Sequence, residues 1–347
     1  MTPLTSLPPG LAARNAIADH DHVASRLVFE GSGGDAAPLV TIAIPTFRRR
    51  DLLVETVKSV LAQNFTRPFD IVVVDNDPES TGADTLVAAL PELRKRAFRY
   101  YVNAENIGMY PNHNRCLALA RGTWASILND DDLLLPDFLS TMFDELDRRP
   151  AIKGLVARKQ WLDERKADAA KPPPRMFMAG YHLWLESHFL GRQSRRIAPS
   201  AMFWGVTVGN LAGFVFRRDA ALALGGFQPE DELSADYWFY TRFAVLHGLY
   251  QHRAMLGLVR VARNESMRPD VLRSFIAQGV RMRRALVGHA VPRWYARFDA
   301  MMIAREQAAY RTFWGVDIPR EELERNYNVR LPPNRPWMYH ALRFSRL

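Results

Sequence analysis

The 347-residue chain is 48% apolar, with eight Trp and nineteen Phe, enough for a sizeable core in one large domain or two modest ones. Its one cysteine, Cys116, excludes an internal disulfide framework and suits a reducing compartment. The net charge of +9 is concentrated at one end: residues 251–347 hold 18 Arg, no Lys and 8 acidic residues, a local excess of +10.

Residues 1–37 lack a secretory leader and any strong periodicity, and "EGSGGDAAP" reads as a flexible lead-in. A regular alternation follows. "LVTIAIPT" is a β-branched strand, followed by a helical pattern through Leu52, Leu53, Val57, Val60 and Leu61. "DIVVVDN" is a second strand, with a helix around 85–90; "FRYYVN" is a third, with a helix through Cys116, Leu117 and Ala120. "WASILN" is a fourth, with a helix over 137–146. Continuous apolar strands alternating with helices predict an α/β fold whose mostly parallel sheet is buried on both faces.

From about residue 151 the alternation breaks down. "KPPPR" is a turn, and the aromatic segment 176–204 suits a lid or a cover for the sheet. "LAGFVFRRDAALALGGFQPEDELSADYWFYTRFAVLHG" predicts a strand, a short helix, a Gly-Gly turn and a second helix starting near Asp236. The remainder is Arg-rich and mostly helical. No window reaches 18 consecutive apolar residues, so a cytosolic protein, or one peripheral to a membrane, is expected.

Ligands of such sheets bind beyond the carboxyl ends of the strands. Those ends read "PTFRRR", "DNDPEST", "NAENIG" and "NDDD", without the glycine fingerprints of dinucleotide or P-loop sites. The ligand is therefore expected to be held by side chains and a cation. Asp130, Asp131 and Asp132 in succession repel one another, and hard divalent cations relieve such repulsion, using one or two carboxylates plus substrate phosphates. Helix capping by Asp132 or Asp137 accounts for one of these acids and not for three. The D-x-D of Asp75 and Asp77 offers a phosphatase reading of the haloacid-dehalogenase type, although Glu79 and the position on a second strand do not match that pattern.

Five ordered segments over residues 38–248 resemble a family 2 glycosyltransferase of GT-A fold. They are "VTIAIPTFRRRDLLVETVKSVLAQ", "FDIVVVDNDPES", "ENIGMYPNHNRCLALARGTW", "LNDDDLLLP" and "GGFQPEDELSADYWFYTRFA". The resemblance implies a catalytic domain over 38–250, with a nucleotide-binding half (38–135) and an acceptor half (150–250), followed by a basic extension over 251–347. It implies an inverting sugar transfer from a nucleotide diphosphate donor, a UDP-sugar favoured, to a saccharide or lipid-linked saccharide in surface glycan biosynthesis.

By the same resemblance, Pro45, Thr46, Phe47 and Arg48 lie along the nucleotide with Asp75, Asn106, Asn114 and Asp130. Asp131 and Asp132 bind a divalent cation, Mn²⁺ or Mg²⁺, and Asp236 is the general base, with Glu230, Asp231 and Glu232 as rivals. Asp236 can also be read as a cap on the helix it begins. Asn129 and Ala235 stand where the family usually has acids, which leaves open a degenerate nucleotide-binding module. The processive Q-x-x-R-W signature is absent, implying single additions. The basic extension suits an anionic membrane surface, and no nucleic-acid module is recognisable.

Overall fold

The apolar runs pair into one sheet because each offers β-branched side chains to both of its faces. The computed structural model describes residues 6–34, 36–164, 193–205, 208–261 and 268–333. Ten strands follow the order β1-β4-β3-β2-β5-β9-β7-β10-β6, with β8 paired to β10. They are β1 (Ser25–Glu30), β2 (Val40–Thr46), β3 (Phe69–Asp75), β4 (Phe98–Asn103), β5 (Trp124–Ile127), β6 (Leu133–Leu134), β7 (Gly154–Asp163), β8 (Ser194–Ile197), β9 (Phe214–Arg217) and β10 (Leu249–Val261).

β4, β3, β2 and β5 run parallel, as do β7 and β10. β9 is antiparallel to both β5 and β7, so the second half is mixed. Alternate residues of β2 and β3 enter opposite cores. Ala43, Val72 and Val74 face one, while Ile42, Ile44, Ile71 and Val73 face the other. Helices α1 (Arg50–Leu61), α2 (Gly82–Ala89) and α4 (Phe138–Arg148) cover the second face. Helices α3 (Met109–Leu119) and α7 (Ala235–Leu246) cover the first.

The chain leaves β2 toward β3 and β4 on one side and returns with β5 on the other. The carboxyl ends of β2 and β5 therefore flank a topological switch point, where open α/β sheets form their crevice.

Two expected boundaries move. The segment predicted as a flexible lead-in contributes the edge strand β1, antiparallel to β4, and a stretch with Leu11 and Val23 buried. It is held there because Arg115 donates to the carbonyls of His20 and Val23. The boundary predicted at 250/251 falls inside β10, whose ladder with β7 continues to Val261. Beyond it, α8 (Pro269–Leu286), α9 (Asp299–Trp314) and α10 (Arg320–Tyr327) give the expected helical extension. Leu272, Ile276, Ile303 and Leu323 form its own core, while Met282 and Leu286 join the main one. Residues 165–192, which include "KPPPR" and most of the lid segment, lie outside the described residues. The rest of that segment forms β8 and α5 (Pro199–Phe203).

Candidate active site

At the switch point, the β2 end meets the acidic strap after β5. Thr46 Oγ1 donates to Asp130 Oδ2 at 2.7 Å, and Thr46 O accepts from Asn76 N at 2.9 Å. Arg48 has a left-handed φ of 57°, uncommon for a side chain larger than glycine, and its Nε donates to Asp77 Oδ2 at 2.9 Å. Phe47 beside it is exposed. Leu233, with φ 67°, is a second such residue, three positions before Asp236. Strained backbone concentrates at functional loops, and here it marks both sides of the site.

The three aspartates have separate surroundings. Asp132 is 1% exposed. Its Oδ1 accepts from Arg260 N at 3.1 Å, and its Oδ2 from Asn129 Nδ2 and Asn210 Nδ2. Burial, helped by the neighbouring Asp131 charge, pushes its pKa up to about 7. Asp132, expected as a metal ligand, is buried with both oxygens accepting from protein donors, which leaves Asp131 as the more accessible carboxylate of the strap. Asp130 is held by Thr46, and burial raises its pKa to about 6. Asp131 is the member that reaches solvent, where its Oδ2 meets Arg49 Nη1 at 2.8 Å.

Among the described residues no three His, Cys, Asp or Glu side chains converge as a preformed metal cage. The donor set still fits a hard cation of the Mg²⁺ type, which needs one or two carboxylates and takes its other ligands from phosphates and water. Asp131 is the carboxylate that could hold such an ion, since its ion pair with the half-exposed Arg49 is of the weak surface kind. The Asn129 departure also gains a physical account, because its amide donates to Asp132 where an aspartate would repel it.

Asp75 ends β3, 3% exposed. Its Oδ2 accepts from Ser80 Oγ and from Tyr100 OH at 2.6 Å, and its Oδ1 from Asp77 N at 3.0 Å. A carboxylate so enclosed is a poor nucleophile, which argues against the phosphatase reading. Asn106 Oδ1 accepts from Asn76 Nδ2 at 2.6 Å and from Gly108 N at 3.0 Å, shaping the turn into α3. Asn114 is placed elsewhere. Its amide donates to Phe227 O at 2.8 Å and Ala16 O at 3.3 Å and accepts from Phe227 N at 2.7 Å. It clamps the Gly-Gly turn to the N-terminal stretch, so its expected nucleotide contact is not retained.

Asp236 lies inside the first turn of α7, past the N-cap position of Ser234. Its Oδ1 accepts from Tyr237 N at 2.7 Å, and burial raises its pKa to about 6. Ala235, where the resemblance leads one to expect an acid, is fully buried in the core. Of the rival bases, Asp231 is fully buried between Arg242 and Arg281 and has a structural role. Glu230 is exposed and 3.2 Å from Arg14 Nε, and Glu232 is exposed.

Sequence reasoning missed several residues that build this site: Arg49, the Asn76–Asn103–Asn112 amide chain, Lys159, Asn210 and Arg260. Lys159 Nζ donates to Val208 O at 2.7 Å and to Asn210 O. Arg260 Nε donates to Asp131 O at 3.1 Å, and its guanidinium also meets Glu55 and Glu164. A lone Lys and a late Arg in apolar strands, "GLVARKQWLD" and "LYQHRAMLGLVRV", were the available signals.

The sheet is covered by helices on both faces, and the acidic strap lies at its switch point, beyond the carboxyl ends of β2 and β5. Residues 41–222, over half of the chain, match the family model Glycosyl transferase family 2. The chain belongs to that family. An uncharacterized protein of Mycobacterium tuberculosis is 26% identical over 212 residues, 58% of this chain and 61% of that relative. The succinoglycan biosynthesis protein ExoO of Rhizobium meliloti is 33% identical over 113 residues, 33% of this chain and 31% of that relative. The match thus spans less than two thirds of either relative's length.

Among solved structures, S. aureus TarS in complex with UDP-GlcNAc aligns with TM-score 0.57 at 17% identity, covering 83% of this chain and 78% of TarS. The mannosyltransferase PcManGT of Pyrobaculum calidifontis, in complex with GDP-Man and Mn²⁺, aligns with TM-score 0.52 at 18% identity, covering 86% and 82%. These likenesses bear on the fold, which is the GT-A arrangement expected from the motifs.

Proposed function

We propose that the protein transfers a sugar, with inversion, from a nucleotide diphosphate donor to a saccharide or lipid-linked saccharide acceptor in building a surface glycan. The observation that carries this is the family match over residues 41–222 together with the acidic strap at the switch point of the sheet; Asp236 at the start of α7, its pKa raised by burial to about 6, is the proposed base. A UDP-sugar is the favoured donor. The UDP-GlcNAc complex of TarS supports that choice, and the name of ExoO supports a polysaccharide product.

In the proposed reaction Asp236 takes the acceptor hydroxyl proton as its oxygen attacks the anomeric carbon. The bond from that carbon to the diphosphate breaks on the opposite face. Pro45, Thr46, Phe47 and Arg48 line the nucleotide, with Asn106 beyond them. Asp75 Oδ1 keeps a lone pair for a base N–H or ribose hydroxyl. Arg48 and Arg49 bring positive charge to the diphosphate end. A divalent cation, Mn²⁺ or Mg²⁺, held by Asp131 would supply charge neutralisation of the departing nucleotide. The Mn²⁺ of the mannosyltransferase structure supports that assignment.

Among the described residues no helix is long and apolar enough to cross a membrane. Contact with an anionic membrane is assigned to the turn Arg293–Phe298, where Trp294 is 49% exposed beside the exposed Arg293 and Arg297.

The test is nucleotide release from a panel of UDP- and GDP-sugars, with water or simple saccharides as acceptors. Release from at least one donor is expected, falling by roughly 10²–10⁴-fold in Asp236→Asn. Binding of UDP without release from any donor would establish the degenerate binding module instead. Equal release by the variant would remove Asp236 as base.

A further inference from the structure

Between α5, α8, α9 and the turn Arg293–Phe298 lies a cavity of about 290 Å³. Ligand pockets run from roughly 300 Å³ upward, so this one suits a headgroup and not a whole lipid or nucleotide. Its wall is of two kinds. Phe203, Val287, Ala300 and Val329 make one part apolar, and Arg283, Arg284, Arg297 and Asp299 charge the other. The two arginines in the last turn of α8 meet the aspartate that begins α9. Asp299 Oδ1 accepts from Arg283 Nε at 2.8 Å, and its Oδ2 accepts from Arg284 Nε at 3.2 Å.

Arg283 Nη1 also donates to Glu306 Oε1 at 2.7 Å. Two carboxylates, Asp299 and Glu306, thus answer three guanidinium groups, which leaves one positive charge over. The Arg283 side chain is 3% exposed, and its Nη2 is buried with no hydrogen-bond partner among the described residues. A buried donor without an acceptor is costly, and such groups mark places where a bound ion completes the network. Arg284 and Arg297 stand on the solvent side, the first with its side chain 55% exposed. Arg297 Nε donates to Trp294 O at 3.0 Å, and its guanidinium lies 5.4 Å from the centroid of the exposed Trp294 ring. Phe298 packs on Trp204 at 5.1 Å, which fixes the turn to the body of the protein.

We infer that this cavity binds the phosphate headgroup of an anionic membrane lipid, with the first carbons of the lipid against the apolar wall. Guanidinium groups present planar, paired donors that match phosphate oxygens. The apolar wall beside them has no use for a free ion. Trp294 at the rim is the type of side chain that sits at headgroup level in a bilayer. The inference rests on the reading of the turn Arg293–Phe298 as a membrane contact and gives that contact a specific pocket. It also sets an orientation. Phe203 of the cavity wall follows Met202, whose carbonyl accepts from the hydroxyl of Tyr237, the residue after the proposed base. A lipid seated here brings the bilayer to the acceptor side of the site.

The test is calorimetric titration of the full chain with dihexanoyl phosphatidic acid, a lipid soluble as monomers. Octyl glucoside supplies an apolar chain without phosphate, and inorganic phosphate supplies the reverse. Phosphatidic acid is expected to bind at least tenfold more tightly than either control. Arg284→Gln and Arg297→Gln should each weaken it roughly tenfold, the loss of a charged hydrogen bond. Ala296→Trp, at an exposed position of the cavity wall, fills the space and keeps every arginine, so it should abolish binding even if a glutamine variant fails to fold.

Inorganic phosphate binding as tightly would make this a free-anion site, and octyl glucoside binding as tightly would make it an apolar pocket only. Unchanged affinity in all three variants would place the lipid elsewhere. Each of these results overturns the inference. Flotation on phosphatidylglycerol vesicles separates it from the reading it rests on. Flotation without binding of the soluble lipid would overturn the cavity and leave the membrane contact of the turn. Binding of the soluble lipid without flotation would overturn that contact, and with it a membrane lipid as the occupant.

Discussion

Asp231 and Asp236 are five residues apart, both acidic and both candidates for the base, and substitution separates them by opposite effects. Asp231 is fully buried, with Arg242, itself 3% exposed at its side chain, on one side and Arg281 on the other. Arg242 also donates through Nε to Leu11 O at 3.0 Å, so the pair holds the N-terminal stretch to α7. In Asp231→Asn the Arg242 guanidinium keeps its burial and loses its counter-charge. Breaking a buried pair in this way costs about 3–5 kcal/mol. At roughly 2–4 °C per kcal/mol for chains of 150–250 residues, the melting temperature should fall by about 6 °C or more. Activity per folded molecule should remain near wild type, because the lost charge supports structure and not the proton transfer.

Asp236→Asn should do the reverse. The folded pKa of about 6 lies above the ordinary carboxylate value, so Asp236 favours folding below that ordinary value and loses this contribution as pH rises through about 6. Its neutral substitute should therefore raise the melting temperature at pH 8 relative to wild type and leave it unchanged near pH 3, while activity collapses. Thermal denaturation at the two pH values, paired with nucleotide release, measures both effects. An Asp231→Asn protein of wild-type stability, or one whose folded fraction is inactive, would refute the assignment of Asp231 as structure and Asp236 as base.

Three further expectations follow from the site. The rate of release in wild type should fall about tenfold per pH unit below about 6, because the base must be ionised to act, and a profile flat to pH 5 would contradict this. Arg99 and Asp70 pair at 2.7 Å with side chains 4% and 7% exposed, so Asp70→Asn should cost about 3–5 kcal/mol in urea denaturation without changing nucleotide affinity. Gly226 has φ +74°, and a Cβ there would lie 2.3 Å from Asn114 Oδ1. Gly226→Ala should therefore unseat the Asn114 clamp, visible as a lower melting temperature and faster proteolysis of the N-terminal stretch.

The strands most legible in the sequence were those buried on both faces. β2, β3 and β4 read as continuous apolar runs because parallel strands under helices have no solvent side. β1, "SRLVFE", was missed because an edge strand is partly exposed along its length and lacks that signature. β10 was cut at its second residue because its burial alternates irregularly and Arg and His interrupt the run.

In the site, the strap was visible as three consecutive acids, but their separate fates were not. The strap lies in an irregular turn between β5 and β6, where no strand or helix period assigns side chains to solvent or core. Asp132 is claimed by Asn210 and Arg260, 78 and 128 positions away in sequence, and such pairings exist only after the sheet has closed. Asn114 shows the same effect in reverse, since its motif position suggested a ligand while its partners turned out to be backbone groups of Ala16 and Phe227.

The most direct test of the central claim is calorimetric titration of UDP into wild type and Asp131→Ala, each with Mn²⁺ and with EDTA. Binding by wild type that requires Mn²⁺ and is lost in Asp131→Ala, with Asp132→Asn retaining the cation dependence in its folded fraction, is the expected result. UDP binding unaffected by EDTA and by Asp131→Ala would contradict the strap as the site of cation-assisted nucleotide recognition.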